Sequence, residues 1–188
     1  SVLLRLFKFA FHSLALFKGN EAALRPHLQP LILLSLRHAA RAENPMNHYF
    51  LLRALFRQIS GGKFEASYKE IAPILTPLLS TLSKLHERTE EPLVRGLLVE
   101  LALSLPARLS ALLPHLPLLA RLLPAALGAR GELAALGLRS LEFWVDNLNP
   151  DFLYPVLERD CERWGRTLAA AAAHLRPAPY PHGPLALR

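Results

Sequence analysis

Cysteine is almost absent from this sequence: Cys161 stands alone among 188 residues. That excludes an intramolecular disulfide and any zinc site built from several cysteines, and it suits a reducing compartment. β-branched apolar residues are scarce as well, with 5 Val and 4 Ile against 45 Leu. Strands favour β-branched side chains and helices favour Leu and Ala, so the expected fold is all-α. Long uncharged runs are missing too. The longest, Ile71–Ser83, has 13 residues and holds Pro73 and Pro77. A bilayer span needs about 20 apolar residues, so no membrane contact is expected.

Catalytic and cofactor motifs are also lacking. There is no Gly-x-x-x-x-Gly-Lys, no Gly-x-Gly-x-x-Gly and no His-x-x-x-His, which leaves no phosphate cradle and no helical zinc pair. Gly61-Gly62 reads as a turn between helical runs. Cys161, His174 and Asp160 contain the residue types of a nucleophile, base and orienter. On one helix, however, adjacent residues point about 100° apart, and His174 would sit about 20 Å along the axis from Cys161. Glu90-Glu91 reads as a helix start, and Glu158/Glu162 as part of a solvated charged face. The expectation is a protein that is not an enzyme, with no cofactor, no metal and no small-molecule substrate.

What the chain does have is apolar mass and proline. Apolar residues make up 52% of it, enough at this length to bury a core and to exclude a disordered chain. Sixteen Pro would be many for helices unless they mark helix starts. Their positions repeat. Arg25-Pro26-His27-Leu28-Gln29-Pro30-Leu31 resembles Ala72-Pro73-Ile74-Leu75-Thr76-Pro77-Leu78, and both resemble Leu113-Pro114-His115-Leu116-Pro117-Leu118-Leu119. A looser copy follows Asn149-Pro150 and includes Pro155. The offsets between the first prolines are 47, 41 and 36 residues, near the ~40–47 of HEAT and armadillo units. His27 and His115 fall at equivalent places, which favours a shared packing or surface role over metal ligation.

An apolar run precedes each proline pair: Val2–Phe17, His48–Ile59, Leu93–Leu105 and Leu133–Leu148. The expected architecture is an α-solenoid of about four HEAT-like antiparallel helix pairs over residues 1–175. A Pro-rich flexible tail is expected over 176–188. In the second run the expected buried stripe is Phe50, Leu51, Ala54, Leu55 and Gln58, with Arg53 and Arg57 opposite. Ser67-Tyr68-Lys69-Glu70 has capping-box spacing, and Asn20-Glu21 offers another cap. Trp144, Trp164, Phe143 and Phe152 are expected in the core. The chain begins with Ser1 in mid-helix pattern, as expected of a piece of a longer protein with apolar faces left open at Val2–Phe17 and near Leu153–Leu168. A transit-peptide reading of Ser1–Asn20 suits its lack of acids, but its Leu and Phe content suits a packed helix better.

Charge is the most informative functional feature. Of the net charge of +7, residues 1–64 supply all, with 9 basic and 2 acidic side chains; residues 65–188 hold 13 of each. Arg37/Arg41 and Arg53/Arg57 are i,i+4 pairs, expected to form basic ridges that attract an acidic partner. The plain alternative is a solvated helix face. The ridges lack interleaved aromatics and any DNA-docking motif, so direct sequence-specific nucleic-acid binding is not expected.

Several longer runs resemble the transformation/transcription domain-associated protein (TRRAP) family. They include Tyr49–Arg57 followed by Gly61-Gly62, Val99-Glu100-Leu101, Pro106–Pro117 and Gly137–Glu142. The most specific is Val145-Asp146-Asn147-Leu148-Asn149-Pro150-Asp151-Phe152-Leu153-Tyr154. The likeness covers roughly residues 2–160. It implies a stretch of HEAT repeat from a giant nuclear pseudokinase scaffold whose FAT and kinase-like regions are not represented here. It also implies a coactivator subunit of histone acetyltransferase complexes such as SAGA, acting on chromatin. The implied partners are other complex subunits and acidic activation domains. A HEAT-repeat adaptor for intracellular transport or trafficking is the alternative from another functional class.

Overall fold

A computed structural model of the chain describes residues 2–60, 64–105, 109–158 and 161–174. Among the described residues all regular structure is α-helix or 3-10 helix, with no strand. Gly61, Gly62, Asp160 and the stretch 176–188 lie outside the described residues. The helices fall into two compact units, Ser1–Ala111 and Leu112–Arg188.

The first unit holds α1 (Val2–Leu16), α2 (Lys18–Leu24), α3 (Leu28–Ala39), α4 (Met46–Ile59), α5 (Glu65–Ile71), α6 (Leu75–Arg88) and α7 (Pro92–Ser104). The prolines do more than start helices. Pro26 and Pro73 each sit in a 3-10 turn, Arg25–His27 and Ala72–Ile74, that joins a short helix to a longer one. Each proline-marked helix therefore begins earlier than expected, as α2 or α5, and bends at the proline. The cause is that proline has no N–H and its ring clashes with the carbonyl four residues back. Pro30 and Pro77 then lie in the first turn of α3 and α6, where the missing donor costs nothing.

α1, α4 and α7 pack side by side, α3 packs on α4, and α6 packs on α7. The closest hairpins therefore join each proline-marked helix to the apolar run that follows it. Core positions are filled by Phe11, Leu28, Ile32, Leu52, Leu55, Phe56, Leu78, Leu79, Leu82, Leu98 and Leu101. On α4 the fully buried positions are Tyr49, Leu51, Leu52, Leu55, Phe56 and Ile59, while Phe50, Ala54 and Gln58 are half-buried. The stripe is rotated from the expected one because α4 packs against several helices at once, α1, α3, α7 and, less extensively, α5. α1 buries Phe11 and Leu14 but exposes Val2, Leu3, Leu6, Phe9 and Leu16.

A polar seam ties α2–α3 to α5. Glu21 Oε1 accepts from both the backbone N–H and the hydroxyl of Ser67, each at 2.9 Å. Arg25 pairs with Glu70 at 3.6 Å. Gln29 Nε2 donates to the Glu70 carbonyl at 2.6 Å. Pro73 has no N–H to offer the carbonyls three and four residues before it, and Gln29 supplies that of Glu70. Residues 21, 25 and 29, on α2, the 3-10 turn and α3 in succession, all reach the same helix, α5. The expected capping box at Ser67 does not form. Ser67 is the third residue of α5, and its orphan amide is satisfied from the preceding repeat instead. Asn20 likewise caps no helix; its amide donates to Ser13 Oγ at 2.9 Å.

His86, on α6, is buried, and its Nε2 has no hydrogen-bond partner among the described residues. Burial holds its pKa below the ordinary histidine value, the Arg95 cation adds to that, and Glu87 opposes it. Since the folded pKa is depressed, the unfolded chain takes up the proton first. Stability is expected to be full above about pH 6.5 and to fall as the pH drops below it, by at most about 1.4 kcal/mol per pH unit for one proton. His115 in the second unit is shifted the same way by burial and adds to the loss. Thermal unfolding at about pH 7.5 and about pH 5.5 checks this: His86→Phe should flatten the slope, and an unchanged slope would show that His86 is not its source.

At the chain boundary of the two units lies the short α8 (Leu109–Leu112), followed by a third 3-10 turn, Leu113–His115, holding Pro114. His27 and His115 each close such a turn and precede the next long helix, so their equivalence is structural. The second unit continues with α9 (Leu116–Leu127), α10 (Glu132–Asn147), α11 (Pro150–Glu158) and α12 (Cys161–Ala172). α9 is central and packs on α10, α11 and α12, and its Leu116, Leu119, Leu123 and Ala126 are buried. Gly131 enters α10 with φ +62°, a conformation that favours glycine. Trp144 is buried as expected, but Phe143 and Phe152 are exposed. The fourth proline pair also differs: Pro150 opens α11 and Pro155 lies inside it.

By length and hydropathy alone, the helical run Leu109–Leu127 would reach across a bilayer. The charge count passed over it because Arg121 interrupts it. Its Leu112, Leu116, Leu119, Leu122 and Leu123 are buried in protein.

Candidate partner-binding surface

The four arginines singled out by charge divide into two pairs. Arg37 lies in the last turn of α3 and Arg41 just beyond it, where cations meet the negative end of the helix dipole. Both are exposed, and no carboxylate among the described residues pairs with either. His38, beside Arg37, stacks on His48 of α4 with ring centroids 6.0 Å apart and planes 20° from parallel.

Arg53 and Arg57, one turn apart on α4, face α7. Arg53 Nε donates to Glu100 Oε1 at 2.7 Å. Arg57 donates to the same oxygen from Nη2 at 2.8 Å and from Nε at 3.1 Å. Glu100 sits in an unbroken buried run, Leu97–Leu103, and its side chain is 10% exposed, against 28% for Arg53 and 48% for Arg57. A carboxylate removed from water needs compensating charge, and the two guanidinium groups supply it. The second ridge is therefore anchored within the fold.

Glu100 is the residue that charge counting over the basic third misses, because it lies 43 and 47 positions away from its partners. A signal was present: it is the only charged residue between Arg95 and Arg108, within the apolar stretch Leu97–Leu103. Such a residue must find a partner.

Among the described residues no three of His, Cys, Asp and Glu converge as a metal site would require. His174 is buried, and its Nε2 donates to the Leu127 carbonyl at 2.6 Å, closing an orphan acceptor at the end of α9. Asp160 and the side chain of Cys161 lie outside the described residues.

Helices interrupted by a proline-bearing 3-10 turn, recurring at intervals of 47 and 41 residues and packed through apolar faces, define a helical-repeat protein of the HEAT type. Residues 1–178 match the family described as the Tra1 HEAT repeat central region. The chain is 42% identical over 183 residues to the SAGA complex/NuA4 acetyltransferase complex subunit TRA1 of Saccharomyces cerevisiae, which covers 97% of this chain and 5% of that protein. It is 48% identical over 152 residues to Transcription-associated protein 1 of Drosophila melanogaster. Against the human Transformation/transcription domain-associated protein it is 46% identical, again over 152 residues. Each of these two matches covers 80% of the chain and 4% of the relative. The chain belongs to the Tra1/TRRAP family, within its central HEAT-repeat region, a non-catalytic scaffold. The family is the one that the quoted runs resemble. The chain spans only about a twentieth of the length of these relatives.

Proposed function

We propose that this chain is a scaffold segment of a nuclear transcription coactivator, a subunit of histone acetyltransferase complexes of the SAGA or NuA4 kind. Its role is to hold protein partners, among them other subunits and the acidic activation domains of transcription factors. Membership of the Tra1 family supports the first part, since the yeast relative is named as a subunit of both complexes. That membership leaves the transport-adaptor alternative without support. In this reading neither nucleic acid nor membrane is a direct partner.

The observation that carries the activator half is the local charge: all of the net +7 lies in residues 1–64, where Arg37 and Arg41 are exposed. An acidic segment gains on-rate from such a field. Reversing Arg53 and Arg57 would disturb the fold, so the test uses R37E/R41E in the full-length protein. Capture of an acidic activation domain is expected to weaken several-fold at low salt, with a shallower salt dependence. Unchanged affinity and unchanged salt slope would refute the activator reading.

A further inference from the structure

The exposed face of α3 is more than basic. Leu28, Ile32, Ser35, Leu36 and Ala39 form its buried side. On the opposite side Leu33 and Leu34 are 44% and 46% exposed. Arg37 follows Leu33 by four residues and Leu34 by three, and Arg41 follows Arg37 by four. Residues three and four apart on a helix are surface neighbours. Leu33 and Leu34 therefore point about 100° apart but each adjoins Arg37, with Arg41 just past the end of α3, and all four lie away from the core. Isolated exposed leucines need no explanation, but two that flank the same arginine, with a second exposed arginine beyond it, form a composite surface.

We infer that this surface is a two-part docking site for an acidic segment that also carries large apolar side chains. Leu33 and Leu34 take the apolar groups, while Arg37 and Arg41 take the carboxylates. This rests on the activator reading above and specifies what such a partner must present. The occupant follows from complementarity: cations alone would accept any anion, whereas adjoining leucines reward a partner that brings apolar area to the same turn of helix. The two parts act on different rates. The charges steer encounter, and the apolar contact slows escape.

The test uses the full-length protein and two synthetic peptides of about 20 residues. One interleaves Asp and Glu with Phe and Leu; the other keeps every charge and replaces Phe and Leu by Ala. Binding is read by fluorescence anisotropy across salt concentrations. The first peptide is expected to bind about tenfold more tightly than the second, the scale of one well-buried apolar group. L33A/L34A should erase that difference by raising the dissociation rate and leave the salt slope unchanged. R37E/R41E should weaken both peptides and flatten the slope. Both leucines are half exposed, so their truncation spares the core, and circular dichroism checks this. If the leucine variant binds both peptides as the unaltered protein does, while the arginine variant fails, the two-part site is wrong and the activator reading stands. If the arginine variant also binds normally, both fall. Equal binding of the two peptides by the unaltered protein, or displacement of the first by duplex DNA at equal charge, also overturns the two-part site.

Discussion

Replacing Arg53 and Arg57 together by methionine is expected to destabilise the packing of α4 on α7 by about 3–5 kcal/mol, because it strands the Glu100 carboxylate in the buried run Leu97–Leu103. Methionine keeps most of the apolar stem of each arginine, so the loss isolates charge rather than packing. The reverse experiment should behave differently. Glu100→Met removes the only group of the cluster that is deeply desolvated. It leaves two guanidinium groups that are 28% and 48% exposed and can turn to water. The expected cost is under about 1 kcal/mol, and a small gain is consistent with the same argument. The triple variant should recover most of what the double arginine variant loses. Arg53→Met alone should exceed Arg57→Met, since Arg57 is the more solvated partner and its pairing is more screened. Hydrogen exchange of the α4 and α7 backbone amides in the full-length protein reads these differences. Equal damage from Glu100→Met and from the double arginine variant would mean that the cluster acts through shape and not charge.

This cluster also shows where one-dimensional reading stops. An i,i+4 arginine pair on an amphipathic helix has the appearance of a solvated ridge, and for Arg37/Arg41 that appearance is correct. For Arg53/Arg57 it is not, because α4 packs against α1, α3, α5 and α7 and so has more than one buried side. Nothing local to residues 48–59 distinguishes the cases; the distinguishing residue is Glu100. The proline repeat was legible because its cause is local: each proline constrains its own turn. Its consequence was only half legible. A missing N–H predicts a break, but whether the chain ends there or bends depends on who satisfies the freed carbonyl, and Gln29 does so for Glu70 from the previous repeat. The Ser67 amide is met in the same way, by Glu21 and not by a residue of its own helix. Local capping spacing at Ser67–Glu70 misplaced the helix start, which lies two residues earlier at Glu65, and the amide left open inside that first turn is met by the longer-range contact.

The second large effect is expected at Gly137, on α10. A β-carbon built there would lie 2.9 Å from Ala126 Cβ, 3.2 Å from the Leu127 nitrogen and 3.3 Å from the Ala126 carbonyl carbon. Two opposing terms decide the outcome of Gly137→Ala. Alanine in a helix interior is favoured over glycine by roughly 0.5–1 kcal/mol. Against this, the first contact is with a side chain that has no rotamer to change, and the other two are with backbone, so α9 and α10 must separate. Overpacking of this kind costs about 1–3 kcal/mol. α9 is the central helix of its unit, packed on α11 and α12 as well, so it cannot retreat without disturbing both. The overpacking term wins, and net destabilisation of about 1–2 kcal/mol is expected for alanine. Valine adds a branched carbon to the same crowded spot and should cost more. Adding Ala126→Gly removes the tightest contact and leaves two of 3.2–3.3 Å that small shifts can relieve. Partial rescue of Gly137→Ala by Ala126→Gly, beyond what glycine's own helix cost allows, is therefore the signature of close helix approach. Amide exchange in α9 and α10 measures it, and a Gly137→Ala variant more stable than the unaltered protein would show that the two helices can part at little cost.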